Sequence, residues 1–307
     1  MKHYSVLKDE LINGLNINPD GIYVDCTLGY AGDSKEILKR LRRGFLFAFD
    51  QDEDAIHFSQ TELSKIGSNF KIIYSNFVNL KEKLWEENVS EVDGIIYDLG
   101  LSSPQIDEVK RGFSFMNDAP LDMRMDKSSK LDAKVVVNTY TEENLMEIFF
   151  KYGEEKYSRS IAKGIIKARN EAPIETTLQL VEVIKHNVPT KYFYNNHPER
   201  QIFQAIRIEV NDELNVLSSS LIDAVNLLKP KGRLCVITFH SLEDRIVKQT
   251  FKKLSEVDNI YKGMPNIPDE YKAKIKLINR KPILPSEEEL TENSRSRSAK
   301  LRIIERV

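Results

Sequence analysis

The chain has 307 residues, of which 41% are hydrophobic and 30% charged, the composition of an ordinary globular protein that can bury a large core. Its two cysteines indicate no disulfide framework and favour a reducing cytoplasm, and no uncharged run approaches the ~20 residues that span a bilayer. The net charge of −2 does not indicate a nucleic-acid-binding protein, although basic clusters at residues 39–43, 110–111 and 295–302 could follow a phosphate backbone.

The first hundred residues alternate between apolar runs and segments with helical spacing. The apolar runs predict four strands, at residues 22–26, 45–49, 70–74 and 92–97. Ile37, Leu38 and Leu41 share a helical face after the first strand, and residues 54–63 predict a helix after the second. This alternation indicates right-handed βαβ units and a parallel sheet, whose carboxyl edge is where ligands bind.

The pattern changes to a helical one between residues 107 and 205, where no parallel strand is predicted. Thr176 and Gln179 have the spacing of a capping box, and residues 203–221 predict one long helix. A fifth strand at 233–239 and an antiparallel pair at 274–278 and 301–305 then complete the sheet. We therefore expect a core of residues 1–107 and 206–307, with a mainly helical substrate-recognition domain at 108–205.

The turn after the first strand contains two glycines, in the order Asp25-x-Thr27-x-Gly29-x-x-Gly32. Glycines let a backbone approach a ligand closely, but the three-glycine fingerprint of dinucleotide sites is not met. Asp50 ends the second strand, 18 positions after Gly32, where a carboxylate accepts hydrogen bonds from ribose hydroxyls. These features indicate a nucleoside ligand without a pyrophosphate clamp, and S-adenosylmethionine (SAM) fits that description.

Several of these residues also have a structural interpretation. Asp52 is close enough to Asp50 to take the ribose role, and the glycines are equally typical of a tight turn. Phe77 follows the third strand, where it could stack on a base or belong to the core. No cluster of His, Cys or Asp has metal-ligand spacing, so no metal site is expected.

Residues 98–105 follow the fourth strand and contain a carboxylate, small polar residues and a proline, an arrangement similar to that of amino-group methyltransferases. The lone pair of a cytosine or adenine amino group is delocalised into the ring, so Ser102 and Ser103 could accept its hydrogens and localise that lone pair. Positioning of this kind contributes ~7–11 kcal/mol. After the fifth strand, His240 could contact the target base or a phosphate, whereas Ser241 and Asp244 have the spacing of a helix cap.

The sequence resembles the bacterial family of small-subunit rRNA (cytosine-N4) methyltransferases. The most specific matching strings are PLDMRMD at residues 120–126 and HSLEDRIVK at 240–248. Other collinear matches lie at residues 25–29, 49–52, 98–105, 111–115, 152–155, 203–208 and 294–302. The resemblance implies an α/β fold of the Rossmann-like class I SAM-dependent methyltransferases with an inserted helical domain.

The same resemblance implies SAM-dependent N4-methylation of one cytidine in the decoding region of 16S rRNA, within the small ribosomal subunit. It assigns the cofactor site to Ala31, Gly32, Asp33, Asp50, Phe77, Asp98 and Gln105. The family supplies no proven catalytic base, and our inferred catalytic candidates are Ser102, Ser103, Asp122, Arg124 and His240.

One departure from the family pattern concerns the first turn, where the family has Gly-His-Ser and this chain has Gly32-Asp33-Ser34. An anionic Asp33 could contact the ammonium group of SAM but would repel its carboxylate. Asp33 therefore keeps open a non-catalytic RNA-binding or ribosome-assembly factor. The fold and the proline-containing motif alone would also permit an amino-methyltransferase that acts on DNA.

Overall fold

The computed structural model describes residues 5–257, 259–261, 268 and 271–307. The chain divides into two compact units. The sheet unit comprises Met1–Gly100 and Leu214–Val307, and the helical unit comprises Leu101–Glu213. These divisions lie seven and eight residues from the domain boundaries expected at 107 and 205.

The sheet unit contains seven strands in the part of the chain that the structure describes. They are β1 (Ile22–Asp25), β2 (Phe45–Asp50), β3 (Phe70–Tyr74), β4 (Val92–Asp98), β5 (Leu228–Thr238), β6 (Ile275–Leu277) and β7 (Lys300–Arg306). Their order is β3-β2-β1-β4-β5-β7-β6, and β1 to β5 pair in parallel. β7 is antiparallel to both β5 and β6. The predicted parallel sheet and closing antiparallel pair are thus confirmed.

Helices accompany this sheet and cover both of its faces. They are α1 (Lys8–Leu15), α2 (Gly32–Leu38), α3 (Glu53–Ser64), α4 (Leu80–Glu86), α12 (Glu213–Leu227), α13 (Ser241–Ser255) and α14 (Glu287–Glu292). Ile95 and Ile96, consecutive on β4, enter two different hydrophobic clusters because successive strand residues point to opposite faces. Among the described residues, no helix is long and apolar enough to cross a membrane.

The helical unit packs its helices around a single apolar cluster. Its helices are α5 (Ser103–Asp107), α6 (Ala133–Thr139), α7 (Glu142–Lys151), α8 (Ser158–Glu171), α9 (Thr177–His186), α10 (Thr190–Asn196) and α11 (Pro198–Asn211). Fully buried side chains from four of them, Phe149, Ile161, Leu180 and Ile206, meet in that cluster. The predicted capping box of Thr176 and Gln179 opens α9 as expected.

The single long helix predicted over 203–221 is wrong, because α11 ends at Asn211 and α12 begins at Glu213. Asp212, between them, adopts a left-handed backbone with φ of 49°, which ends the first helix. Both segments keep buried apolar residues at helical spacing, so the pattern runs across the break without marking it.

Candidate active site

Three aspartates end three neighbouring strands of the sheet. Asp50 is the last residue of β2, Asp25 of β1 and Asp98 of β4. Because β1 pairs in parallel with both β2 and β4, the three carboxyl groups lie along one edge. Asp25 was not among the site residues predicted from sequence. Its position at the end of a strand, like that of the other two, is the signal that could have found it.

The turn after β1 is tied to the end of β2. Asp50 accepts hydrogen bonds from the backbone N–H groups of Gly29, at 2.7 Å, and Asp52, at 2.9 Å. Ser59 of α3 donates to the carbonyl of Gly29 at 2.8 Å. Ala31 is buried in a left-handed conformation with φ of 61° just before α2 begins at Gly32. These contacts hold the turn in one conformation.

Asp25 connects this turn to the end of β4. Its carboxylate accepts hydrogen bonds from the Ser34 hydroxyl, at 2.7 Å, and from the Thr27 backbone, at 3.0 Å. The Thr27 hydroxyl in turn accepts a 2.7 Å hydrogen bond from the backbone N–H of Asp98. Asp25, Thr27 and Asp98 are therefore held together without a basic side chain among them.

Burial and mutual repulsion make these carboxyl groups hard to ionise. Burial raises the pKa of Asp25 to about 6 despite the hydrogen bonds from Ser34 and Thr27. It raises the pKa of Asp33 to about 7, with a further contribution from the charge of Asp25. The pKa of Asp98 is well above its usual range because of burial and the nearby charges of Asp33 and Asp25. The three groups cannot all be anionic without a large energetic cost.

Two carboxyl oxygens in this group have no hydrogen-bond partner. Asp33 Oδ1 and Asp98 Oδ1 are both shielded from solvent and unpartnered. A buried polar atom without a partner is costly, and a cation that donates hydrogen bonds would satisfy both atoms and neutralise the repulsion. The residues present therefore fit a ligand with a positively charged donor group. The ammonium group of SAM is such a donor.

Asp50 and Phe77, which the sequence predicts to bind a ribose and a base, lie at the end of β2 and just after β3. Burial raises the pKa of Asp50 to about 6, partly offset by the hydrogen bond from Asp52. Phe77 begins a short 3-10 turn after β3 and is half-buried. Its ring meets that of Tyr97 edge-on, with centroids 5.3 Å apart. Phe77 thus packs partly against the core, as the structural interpretation anticipated, and keeps some exposed surface.

Ser102, Ser103 and Gln105 form the start of α5 in the helical unit. The Ser102 hydroxyl accepts from the Gln105 backbone N–H, and Gln105 Oε1 accepts from the Ser102 N–H at 3.1 Å. This is a capping box, and Ser103 is the first helical residue. Both Ser102 and Gln105 therefore have a structural function that the sequence interpretation did not assign to them.

Asp122 and Arg124 form a two-bond ion pair within a loop of the helical unit. Arg124 Nε and Nη2 each lie 2.8 Å from an oxygen of Asp122, and the guanidinium also donates to the carbonyls of Lys127 and Ser129. The pKa of Asp122 is lowered by the hydrogen bonds and charge of Arg124, which outweigh its burial. Asp122 also lines a groove of about 390 Å³ together with Lys134.

His240 begins α13, and the predicted cap at Ser241 is wrong. His240 Nδ1 accepts from the Glu243 N–H at 3.4 Å, while Glu243 Oε2 accepts from the backbone N–H groups of Phe239 and His240. The cap moves one residue upstream because Glu243, not Asp244, lies at the third helical position. Asp244 instead pairs with Arg302 at 2.7 Å. His240 Nε2 lies 3.1 Å from Glu243 Oε1 but outside hydrogen-bonding geometry.

The sheet has an antiparallel β7 between β5 and β6, and the carboxyl ends of its strands form a site suited to a cationic nucleoside. Together these features define a class I SAM-dependent methyltransferase. Over residues 1–307 the chain matches the model of the MraW methylase family, and it belongs to that family. This match confirms the family, the methyltransferase activity and the cofactor expected from the sequence. The alternative of a non-catalytic factor is therefore rejected.

The similar proteins include one relative and two solved structures. "Ribosomal RNA small subunit methyltransferase H" of Exiguobacterium sibiricum is 54% identical over 307 residues, covering 100% of this chain and 98% of the relative. A candidate rRNA methylase from Clostridium thermocellum has a TM-score of 0.46 and 10% identity, with 100% of both chains covered. A candidate methyltransferase from Streptococcus mutans in complex with SAH has a TM-score of 0.45 and 11% identity, with 98% of both chains covered.

Proposed function

We propose that this enzyme transfers the methyl group of SAM to the N4 amino group of one cytidine in the decoding region of 16S rRNA. The observation that carries the substrate assignment is the 54% identity, over the whole chain, to a small-subunit rRNA methyltransferase. The carboxyl-edge aspartates support the same chemistry, because they fit the cationic group of the methyl donor.

The cofactor site that we propose lies at the carboxyl edge of the sheet. Asp33 and Asp98 would bind the ammonium group through their unpartnered Oδ1 atoms. Asp50 would accept hydrogen bonds from the ribose hydroxyls, and Phe77 would contact the adenine. SAM, when bound, supplies an electrophilic methyl group. Ala31, Gly32 and Gln105 complete the proposed cofactor residues.

The target amino group needs positioning more than proton removal before the methyl transfer. We assign the acceptors for its two hydrogens to the segment after β4, with Ser102 and Ser103 as candidates. Holding the amino nitrogen in line with the methyl group contributes ~7–11 kcal/mol to catalysis. Asp122 and Arg124 remain candidates for contact with the RNA, alongside their observed structural contacts. His240, the third candidate, is proposed to act as the cap of α13.

The decisive experiment uses methyl-labelled SAM and small subunits that lack the modification. After incubation, the RNA is digested to nucleosides, and labelled N4-methylcytidine is the expected product. Asp98→Asn protein provides the inactive control. An absence of labelled N4-methylcytidine, in protein that binds SAM, would overturn the proposal. Label in duplex DNA but not in rRNA would instead support the DNA amino-methyltransferase.

We further propose that the cytidine is methylated in the assembled small subunit, because folded RNA is recognised largely by its shape. We also propose that the reaction takes place in the cytoplasm. Parallel reactions on naked 16S rRNA and on assembled subunits test this point. A higher kcat/KM on assembled subunits is expected, and equal or higher kcat/KM on naked rRNA would contradict it.

A further inference from the structure

One face of α8 presents a row of basic side chains. Arg159, Lys163 and Lys167 follow each other at intervals of four residues, and all three are exposed. Residues four apart in a helix share a face and are separated by about 6 Å along the axis. The opposite face contributes Ile161 and Ile165 to the core of the helical unit, which fixes the row outward.

No acidic side chain neutralises this row within the described part of the chain. Residues 156–170 contain five basic residues and no acidic one. Glu171, the last residue of α8, lies four positions after Lys167, but no ion pair joins the two in the described structure. In contrast, three other exposed lysines of the helical unit are ion-paired: Lys134 with Glu175, Lys151 with Glu147 and Lys185 with Glu182. Like charges four residues apart destabilise a helix, so the row lowers the stability of α8.

The residues just before α8 place a further lysine against two aromatic rings. Lys156 Nζ lies 5.1 Å from the ring centre of Tyr157 and 4.3 Å from that of Tyr192. The neighbouring acid, Glu155, is buried and accepts hydrogen bonds from the Tyr192 hydroxyl and the Tyr157 backbone. The segment that leads into α8 therefore combines a cation with half-buried aromatic rings, which is typical of RNA-binding faces.

We propose that Arg159, Lys163 and Lys167 bind consecutive phosphates of the rRNA substrate and so form a phosphate track on the helical unit. The proposal rests on the proposed function for its choice of RNA. A polyanion is the partner that an unpaired cationic row fits, because it would replace the repulsion along α8 with attraction and release its own counterions.

The test compares two variants that remove equal charge from the helical unit. The track variant is Arg159→Gln, Lys163→Gln and Lys167→Gln, and the control variant is Lys134→Gln, Lys151→Gln and Lys185→Gln. Glutamine has nearly the same helix propensity as lysine and arginine, so α8 should remain folded. Affinity for naked 16S rRNA and for unmodified small subunits is measured from 50 to 200 mM KCl, with SAM affinity as the folding check.

Loss of three phosphate contacts should reduce the slope of log affinity against log salt by about 2 for single-stranded RNA. Wild-type protein should then lose roughly twentyfold more affinity than the track variant across that salt range. An unchanged slope, or an equal reduction in the control variant, would overturn the track. An effect on assembled subunits but not on naked rRNA would also overturn it, since the partner would then be an acidic protein.

The proposed function can fail separately from the phosphate track. Methylation by wild-type protein is measured in the same preparations. If no N4-methylcytidine forms, the proposed function is wrong, while the difference in salt slope on rRNA still supports the track.

Discussion

Asp50 accepts a 2.7 Å hydrogen bond from the backbone N–H of Gly29, so the last residue of β2 fixes the turn that follows β1. The same carboxylate accepts from the N–H of Asp52, which in turn caps α3. The residue to which we assign the ribose therefore also holds the conformation of the turn at the proposed cofactor site.

This double role predicts that Asp50→Ala will lower both SAM affinity and stability. Affinity should fall by ~1–3 kcal/mol, since charged hydrogen bonds to the ribose are lost. The melting temperature should fall because the N–H groups of Gly29 and Asp52 lose their acceptor. Calorimetry and thermal unfolding measure the two effects, with Asp20→Ala at the exposed Arg43 pair as control. Unchanged SAM affinity, with a loss in Asp52→Ala, would assign the ribose to Asp52 instead.

Replacement of Asp98 should separate function from stability. Asp98→Asn removes a carboxyl whose ionisation is opposed by burial and by Asp33 and Asp25. At pH 8 the melting temperature without SAM should therefore be unchanged or higher, while SAM affinity and methylation fall sharply. Leu84→Ala, which truncates a fully buried core side chain, provides the reference, with an expected loss of ~2–5 kcal/mol. A comparable loss in Asp98→Asn would show that Asp98 is structural.

The strand ends were predictable from sequence because each follows a continuous apolar run in a parallel sheet. Asp50 and Asp98 are found in this way, and Asp25 satisfies the same rule. The break at Asp212 was not predictable, because buried residues continue at helical spacing on both sides of it. A single left-handed residue ends a helix without changing the hydrophobic pattern.

Helix capping explains why other site residues were harder to interpret. Ser102 and Gln105 have the spacing of a capping box, but the same polar residues also suit a ligand. Histidine is an unusual N-cap residue, so Ser241 was the better sequence candidate. Only the contacts of Glu243, which accepts from two backbone N–H groups, show that the cap lies at His240.

SAM binding should strengthen as pH rises. Without ligand, burial keeps the pKa of Asp33 at about 7 and that of Asp25 at about 6, so the folded protein holds protons that the unfolded chain has released. Stability in the absence of ligand should therefore fall as pH rises from ~4 to ~7. A bound cation favours the ionised carboxyls and releases protons, so affinity should rise up to about tenfold per pH unit for each proton released.

Calorimetry between pH 5.5 and 8, in two buffers of different ionisation enthalpy, measures both the affinity and the proton release. The charges of Lys8 and Glu36 also affect the pKa of Asp33, and the charge of Glu243 affects that of Asp98. Asp33→Asn is the control, because it removes the carboxyl group whose pKa of about 7 lies within the measured range. In that variant the pH dependence should be weaker. A pH-independent affinity in the wild-type protein would contradict the cation site.

His240 allows the helix cap to be tested apart from catalysis. Asparagine is a preferred N-cap residue, so His240→Asn should keep the stability of α13, whereas His240→Ala should lose ~0.5–2 kcal/mol. If the imidazole acts only as a cap, His240→Asn should also keep kcat within a few-fold of wild type, and we expect this result from the Nδ1 contact with Glu243. Denaturant unfolding and single-turnover methylation measure the two quantities. A stable His240→Asn protein with a large loss of kcat would instead show that the imidazole acts on the substrate.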